Sequence, residues 1–569
     1  MPHYQNYFTR TYDDLKQMLH ASAATFGEHA CTLPLDPKTE SARSYRRFCS
    51  DVDALGTALL CRGWGGKRVL LLGEGSATWA TAYFALLCGV GVVIPLDRSL
   101  GTAEIAAIFQ QTNAHAVICP ATRLAELREA LPLADLLALE ALEGRIADGY
   151  ARMRQGDRTY LDAEIDPRAL ATVVYTSGSR DPARAVMLSH KNLCTALSEI
   201  CKMVYLDEQD VLLSTLPLHH IYGTVSSLLC PLYRGASLAF CEDLTHLSDA
   251  LRRIRPTVMP CIPALPEQIY RTICKRLDET GLSSRFALQI KLTDAIPQKS
   301  ARLAAKRRVF DPIHRMLGGR LRLIVSGGAP IHPDCLRGLN ALGFLAIQGY
   351  GMTESTALLA INRDTYHRDN AVGLSTPHTL LDVYDPANDG IGEVRFRGDN
   401  LMLGYLDDPA ATAKVLRDGW LYTGDLGTID DDGFLSLLGR VENTFRVKGR
   451  TVIPEELEAL LAKCACIREV AVIADPDAPT DKAAPIALIL PASTRSTRLQ
   501  KKQTRRTGSS LDLALRRAIT EVNGIVAPHK RIRAYVLLSE PLPRTASKKL
   551  QRAGLAETVR AAACKKHRV

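Results

Sequence analysis

Short apolar runs alternate with amphipathic stretches over the first two thirds of the chain. VLLLG (residues 69–73) is continuously apolar, as expected of a parallel strand covered on both faces. A helical pattern over residues 76–87 follows it, and VGVVIPL (residues 90–96) reads as the next strand. Similar β-branched runs ending in glycine or proline recur: AHAVICP (114–120), ATVVYTSG (171–178), RLIVSGG (322–328) and FLAIQGYG (344–351). Helical patterns separate them, so the fold class predicted is α/β, with layered α/β subdomains. After about residue 385 the texture changes. GIGEVRFRG, GWLYTGDLGTID and GFLSLLGR are short runs divided by D-D-G and D-G turns, which predicts a β-rich subdomain of antiparallel hairpins.

Beyond residue 440 a smaller α+β unit is expected. EELEALLAK and SLDLALRRAITEVN read as its helices, VAVIADP and RAYVLLS as its strands. Between them lies STRSTRLQKKQTRRTGSS (493–510), polar, basic and of low complexity, which reads as a flexible loop. A large unit followed by a smaller one beyond Arg440 is the predicted organisation. At 569 residues the chain exceeds what one core supports, in keeping with that division.

Charge sharpens the picture. The net charge is +10, yet from Arg495 onward there are 19 Lys/Arg against 4 Asp/Glu, and before it 52 against 57. A basic tail on a slightly acidic body suits a polyanionic ligand or an anionic membrane surface, or is simply a solvated basic face. No aromatic interleaving or recognition motif supports nucleic-acid binding. The 15 cysteines follow no ligand spacing, and reduced thiols in the cytoplasm are the expectation. The polar start, MPHYQNYFTRTYDD, is unlike a secretory signal.

Several stretches carry candidate chemistry. In VVYTSGSRDPARAVMLSH (173–190) a strand runs into hydroxyls, free N–H groups and Arg184, the makings of an anion cradle. QGYGMTESTA (348–357) has glycines, Gly351 among them, that let backbone approach a planar ring, and Glu354 suits Mg²⁺ beside phosphates. GWLYTGDLG places Asp425 on a turn, where a carboxylate can accept from ribose hydroxyls. LPLHHIYG (216–223) offers His219 and His220 next to Tyr222, and PRTASKKLQR (543–552) has adjacent lysines. Each alone is weak, since an isolated His or Asp is more often structural.

In this order the stretches resemble the adenylate-forming superfamily of acyl-CoA synthetases, adenylation domains and luciferases. VSGGAPI (325–331) and GRVENTFRVKGRTVIPEELE (439–458) extend the likeness over nearly the whole chain. CPLYRGASLAF, NRDTYHRDNAVGLSTP and HKRIRAYVLL look most like the bacterial long-chain fatty acyl-CoA ligases. The resemblance implies ATP-dependent activation of a fatty acid to acyl-adenylate, then transfer to coenzyme A, giving acyl-CoA, AMP and pyrophosphate. It implies Mg²⁺ as cofactor and peripheral membrane contact as an option. Alternatives are an acyl-AMP ligase that loads a separate acyl carrier protein, and a degenerate, non-catalytic nucleotide or acyl binder.

Roles follow by resemblance. Thr176, Ser177, Gly178 and Ser179 match the loop that holds the β- and γ-phosphates. Gly328, Ala329 and Pro330 match the adenine wall, and Tyr350 the ring stacked on adenine. Thr353 matches a phosphate contact and Glu354 the magnesium ligand; Asp425 and Arg440 match the ribose contacts. His220 matches the residue near the carboxylate and thiol path. Lys549 matches the lysine that bridges the ribose ring oxygen, α-phosphate and substrate carboxylate. The resemblance implies a large domain over 1–438, a hinge at 439–443 and a small mobile lid over 444–569; Asn443 stands in that hinge, where Asp or Lys is usual. Lys448 and Gly449 would line the thiol tunnel. The family loop TSGTTGxPKG reads TSGSRDPARA here: Asp181 replaces a glycine, Pro182 sits one place early, and Arg184 and Ala185 replace Lys and Gly. A carboxylate at 181 repels triphosphate oxygens unless a cation offsets it. His219, Tyr222 and the small residues around Gly223 are candidates for the acyl pocket or, equally, for core packing.

Overall fold

The computed structural model describes residues 5–38, 41–176, 183–387, 390–448, 450–478, 484–492, 507–544, 550–552, 554–561 and 566–568. The apolar runs become strands of two sheets. The first runs in the order Gly404–Tyr405, Ala185–Ser189, Leu170–Tyr175, Gly91–Leu96, Lys67–Leu72, Ala116–Cys119, Asp135–Ala138. Its interior strands are parallel, with Lys67–Leu72 between Gly91–Leu96 and Ala116–Cys119. Ala185–Ser189 instead runs antiparallel to Leu170–Tyr175. That return strand is why the phosphate-loop stretch starts like a strand and ends as a helix, His190–Met203. Ser189 caps the helix, accepting from the Asn192 N–H while Asn192 accepts from its own.

The second sheet has a parallel part, Ser237–Phe240, Val211–Ser214, Val258–Cys261, Leu323–Ser326 and Leu345–Tyr350. The hairpins read as a separate β-rich subdomain are hydrogen-bonded to it. Ala360–Ile361 pairs antiparallel with Leu345–Tyr350, and the ladder continues through Gly373–Ser375, Phe434–Arg440, Trp420–Ile429, Gly392–Arg397 and Leu380–Tyr384. One continuous backbone ladder therefore links the candidate nucleotide segments at 325–331, 348–357 and 419–427.

The large core is built on aromatic residues. Trp79 stacks on Tyr83 at 5.3 Å between centroids, and Phe48 and Tyr83 both meet Phe84 edge-on. The small unit has its own core of Leu457, Leu461, Val472, Ile489, Leu515, Ile519 and Tyr535. Its sheet is Ile467–Ala474, Pro485–Pro491, Ala534–Leu537 and Lys566–Arg568. The helix Thr507–Ile525 begins inside the stretch read as loop, so that loop ends before residue 510; residues 493–506 lie outside the described set. All described cysteines are free thiols.

Helix Tyr45–Cys61 lies against helix Leu142–Arg154, and Gly149 sets their approach: a Cβ there would stand 1.8 Å from the Ala54 carbonyl oxygen. Gly149→Ala must push the helices apart, which typically costs about 1–3 kcal/mol. A lower midpoint in thermal unfolding checks this; an unchanged midpoint contradicts the packing.

Candidate active site

The carboxyl ends of the parallel strands of both sheets carry the candidate residues, where open α/β sheets place ligands. The phosphate-loop hairpin is closed at its base. The Thr176 N–H donates to the Arg184 carbonyl at 2.9 Å, and the Arg184 N–H to Thr176 Oγ1 at 3.0 Å. Ser177, Gly178, Ser179 and Asp181, between them, lie outside the described residues, as do Gly449 and Lys549.

Arg184 connects to the proposed metal ligand through a residue the sequence reading passed over. Its guanidinium stands 5.2 Å from the ring centroid of Tyr405, and the Tyr405 hydroxyl donates to Glu354 Oε1 at 2.7 Å. Burial, reinforced by Glu354, pushes the Tyr405 phenol well above its ordinary value, so it stays a donor. Tyr405 reaches this place because Gly404–Tyr405 pairs with Met187 and Val186 on the hairpin's return strand. A two-residue strand has no periodicity, so only the dipeptide Gly-Tyr was there to be seen.

Glu354 itself is 7% exposed. It sits in the turn Thr353–Ser355, beside Thr353, and Thr356 and Ala357 follow at φ 54° and 83°. Such angles cost energy in non-glycine residues and persist only where contacts enforce them. Asn400, buried, donates to the Ser355 and Leu358 carbonyls, and Thr356 Oγ1 donates to the Asn400 carbonyl. Gly351 is obligatory here: a Cβ would stand 2.0 Å from the Ala357 oxygen. Among the described residues Glu354 Oε2 has no hydrogen-bond partner. A buried carboxylate with one oxygen fixed and one spare fits a hard divalent cation such as Mg²⁺.

A second triad lies on the antiparallel ladder. The Tyr350 hydroxyl donates to Asp425 Oδ2 at 2.5 Å, and Arg440 Nε meets Asp425 Oδ1 at 2.7 Å. Asp425 and Arg440 are register partners, which fixes the pair through the backbone. Burial, then the Asp425 charge, holds the Tyr350 phenol well above its ordinary value. Both Asp425 carboxylate oxygens are thereby held in place.

The adenine-wall stretch is exposed at Gly328, Ala329 and Pro330, with Gly328 at φ 81°. Beneath it Tyr222 donates to the Val325 carbonyl at 2.9 Å, and a Cβ on Gly327 would lie 2.8 Å from the Tyr222 ring. Tyr222, read as an acyl-pocket candidate, is thus a prop under this turn. Gly223 allows the preceding loop to fold back, since a Cβ would stand 2.3 Å from the Pro217 oxygen.

His219 and His220 are adjacent rings, 4.2 Å between centroids, and His219 Nε2 lies 3.7 Å from Asp97 Oδ2. Burial, then His220, holds His219 down at about 4, so it is neutral near pH 7. Glu242, which carries no sequence signal, ties this loop to the first sheet. Its Oε1 accepts from the Gly75 N–H at 2.9 Å and the Leu218 N–H at 3.4 Å. Burial pushes its carboxyl up to about 7 against those two hydrogen bonds.

Gly439 is the penultimate residue of the strand Phe434–Arg440, and a Cβ there would stand 2.6 Å from Glu455 Oε2. Asn443, in the turn Val441–Asn443, donates to Glu455 Oε1 at 2.5 Å. Arg552 pairs with Glu455 at 3.2 Å and Glu458 at 2.8 Å. The loop that contains Lys549 is closed at its base by the Arg544–Leu550 bridge and by Gln551 N–H donating to the Pro543 carbonyl. Lys448 is exposed at φ 50°.

The sequence profile of the AMP-binding enzyme family matches residues 19–406. The chain belongs to that family. Among curated proteins, this AMP-binding enzyme is 30% identical over 406 residues to long chain acyl-CoA synthetase 6, peroxisomal, of Arabidopsis thaliana, a match that covers 66% of this chain but 58% of that protein. It is 28% identical over 483 residues to long-chain-fatty-acid–CoA ligase 1 of Cavia porcellus, covering 75% and 67%. Among solved structures it resembles ATP-bound MatB from Rhodopseudomonas palustris, with TM-score 0.74, 22% identity and 96% and 99% of the two chains covered. The anthranilate CoA ligase AuaEII in complex with anthranoyl-AMP gives TM-score 0.73 at 21% identity, covering 98% and 99%. These structural likenesses bear out the two-domain α/β fold.

Folding is linked to the protonation of Glu242. A carboxyl raised from 4.5 to about 7 on folding favours the protonated, folded form; that stability is full below pH 4.5 and lost as pH rises through about 7. Glu242→Gln is expected to flatten the fall of the unfolding midpoint across this window and to be the more stable protein above pH 7. Parallel melting curves at a series of pH values check it.

Proposed function

We propose that this AMP-binding enzyme is an acyl-CoA ligase that activates a fatty acid, in the long-chain range, as its adenylate. A substrate carboxylate oxygen attacks the α-phosphorus of ATP, the bond to the bridging oxygen breaks, and pyrophosphate leaves. The thiol of coenzyme A then attacks the acyl carbon with loss of its proton, and AMP leaves with the bonding electrons. Charge accumulates on phosphoryl oxygens in the first step, so positioned cations and N–H groups do most of the work.

One observation carries the reading: Arg184, Tyr405 and Glu354 form a chain from the exit of the phosphate loop to a buried carboxylate with a spare oxygen. Glu354 would hold Mg²⁺, which when bound neutralises triphosphate charge. Asp425, held by Tyr350 and Arg440, would receive the ribose. His220, the N-cap of the short helix Ile221–Thr224, would face the carboxylate and thiol path. Lys549 would serve the adenylation pose and Lys448 and Gly449 the thioester pose, with the chain turning at 439–443. The curated relatives named as long-chain ligases support the substrate class. Peripheral contact with an anionic membrane, where such acids reside, belongs to this reading. An acyl carrier protein as acceptor is the reading it displaces.

Lys549→Ala is expected to slow carboxylate-dependent ATP–pyrophosphate exchange by about 10²–10³ while sparing thioester formation from supplied acyl-adenylate. Exchange at the wild-type rate would refute the role. Asp181→Gly is expected to lower the apparent KM for ATP in the same assay. A panel of carboxylates from acetate to long-chain and aryl acids, scored by pyrophosphate release with coenzyme A or carrier as acceptor, tests substrate and acceptor together.

A further inference from the structure

Between the neighbouring parallel strands Val258–Cys261 and Leu323–Ser326 the chain makes a long helical excursion: Ala264–Glu279, Ser283–Asp294, Lys299–Val309 and Asp311–Met316. Helix Ser283–Asp294 turns Phe286, Ile290 and Thr293 inward, and Phe286 packs on Phe310 at 4.9 Å. At 3.6 residues per turn its opposite face holds Arg285, Leu288, Lys291 and Leu292. A solvent face is normally polar, yet Leu288 is 57% and Leu292 63% exposed. The next helix adds Leu303, 46% exposed, and exposed Arg308.

The charge of the excursion is equally one-sided. Residues 283–309 hold seven Lys/Arg and one Asp. Among the described residues Arg285, Lys291 and Arg308 make no ion pair, whereas Lys306 already pairs with the single acid, Asp294. A helix face that mixes protruding leucines with unpaired cations matches an anionic bilayer interface: the apolar side chains enter the acyl boundary and the cations meet headgroup phosphates. No described helix is long and apolar enough to cross a membrane, so this is surface docking.

We propose that the outer face of helices Ser283–Asp294 and Lys299–Val309 is a docking surface for an anionic phospholipid bilayer. As the source of an acyl substrate, this rests on the ligase reading; as a binding surface, it stands alone. The excursion leaves the sheet after Val258–Cys261 and re-enters it at Leu323–Ser326, the strand that leads into the candidate adenine wall. An acidic carrier protein would also meet the cations, but leucines exposed on successive turns of one helix favour lipid.

The test is co-sedimentation of the full chain, without nucleotide, with vesicles of phosphatidylcholine alone or mixed with phosphatidylglycerol. Binding is expected only to the mixed vesicles. Leu288→Ser with Leu292→Ser, and separately Arg285→Glu with Lys291→Glu and Arg308→Glu, should each weaken it about tenfold or more. Replacing the Lys and Arg residues of 495–506 by Gln should not. Binding that survives both helix variants, or that is lost only with the tail variant, overturns the proposal. So does normal vesicle binding by helix variants that fail to acylate a carrier protein. Pyrophosphate release on a soluble medium-chain acid, measured in parallel, is expected to be unchanged; vesicle binding lost in the helix variants of a protein that turns over no acid supports the surface and removes the ligase reading.

Discussion

The pairing of Asp425 with Arg440 is the contact on which the candidate site hangs. It is written into the backbone register of two adjacent strands, and the Tyr350 hydroxyl joins it from the last parallel strand. One carboxylate thus ties the parallel part of the sheet, the antiparallel part and the end of strand Phe434–Arg440. Partial burial reduces solvent screening, so this pair is stronger than an exposed one.

The same economy recurs at Glu354 and Glu242. Each is a largely buried acid whose oxygen is committed to a neighbour from a different segment: Tyr405 for one, Gly75 and Leu218 for the other. Burying an acid is costly without partners, so these three acids mark the joints between subdomains. Strain at Thr356 and Ala357 sits next to one of them, held by Asn400.

Much of this was legible in sequence, and the reason is local. Val69, Leu70, Ile324 and Ile347 lie in apolar runs that end in glycine, and such runs announce buried strands. Motifs such as GYGMTE and GWLYTGDLG placed Tyr350, Glu354 and Asp425 because their residue types and order suffice. What escaped was non-local or unpatterned. Tyr405 depends on pairing with a strand more than two hundred residues earlier. Glu242 is one acid after a strand. The continuity of the parallel and antiparallel parts rests on ladder bonds that no single stretch reveals. The leucines of Ser283–Asp294 were hidden because apolar periodicity is normally assigned to a core, and here part of it faces out.

Glu455 gives the proposed hinge a further meaning. It receives Asn443, crowds Gly439 and holds Arg552, which stands three residues past Lys549. If the chain turns at 439–443 as proposed, rotation there would tug on the anchor of the lysine-bearing loop. The two poses of the lid would be linked as by a crank: removing the lysine from the first half-reaction and presenting the second face would be a single mechanical stroke.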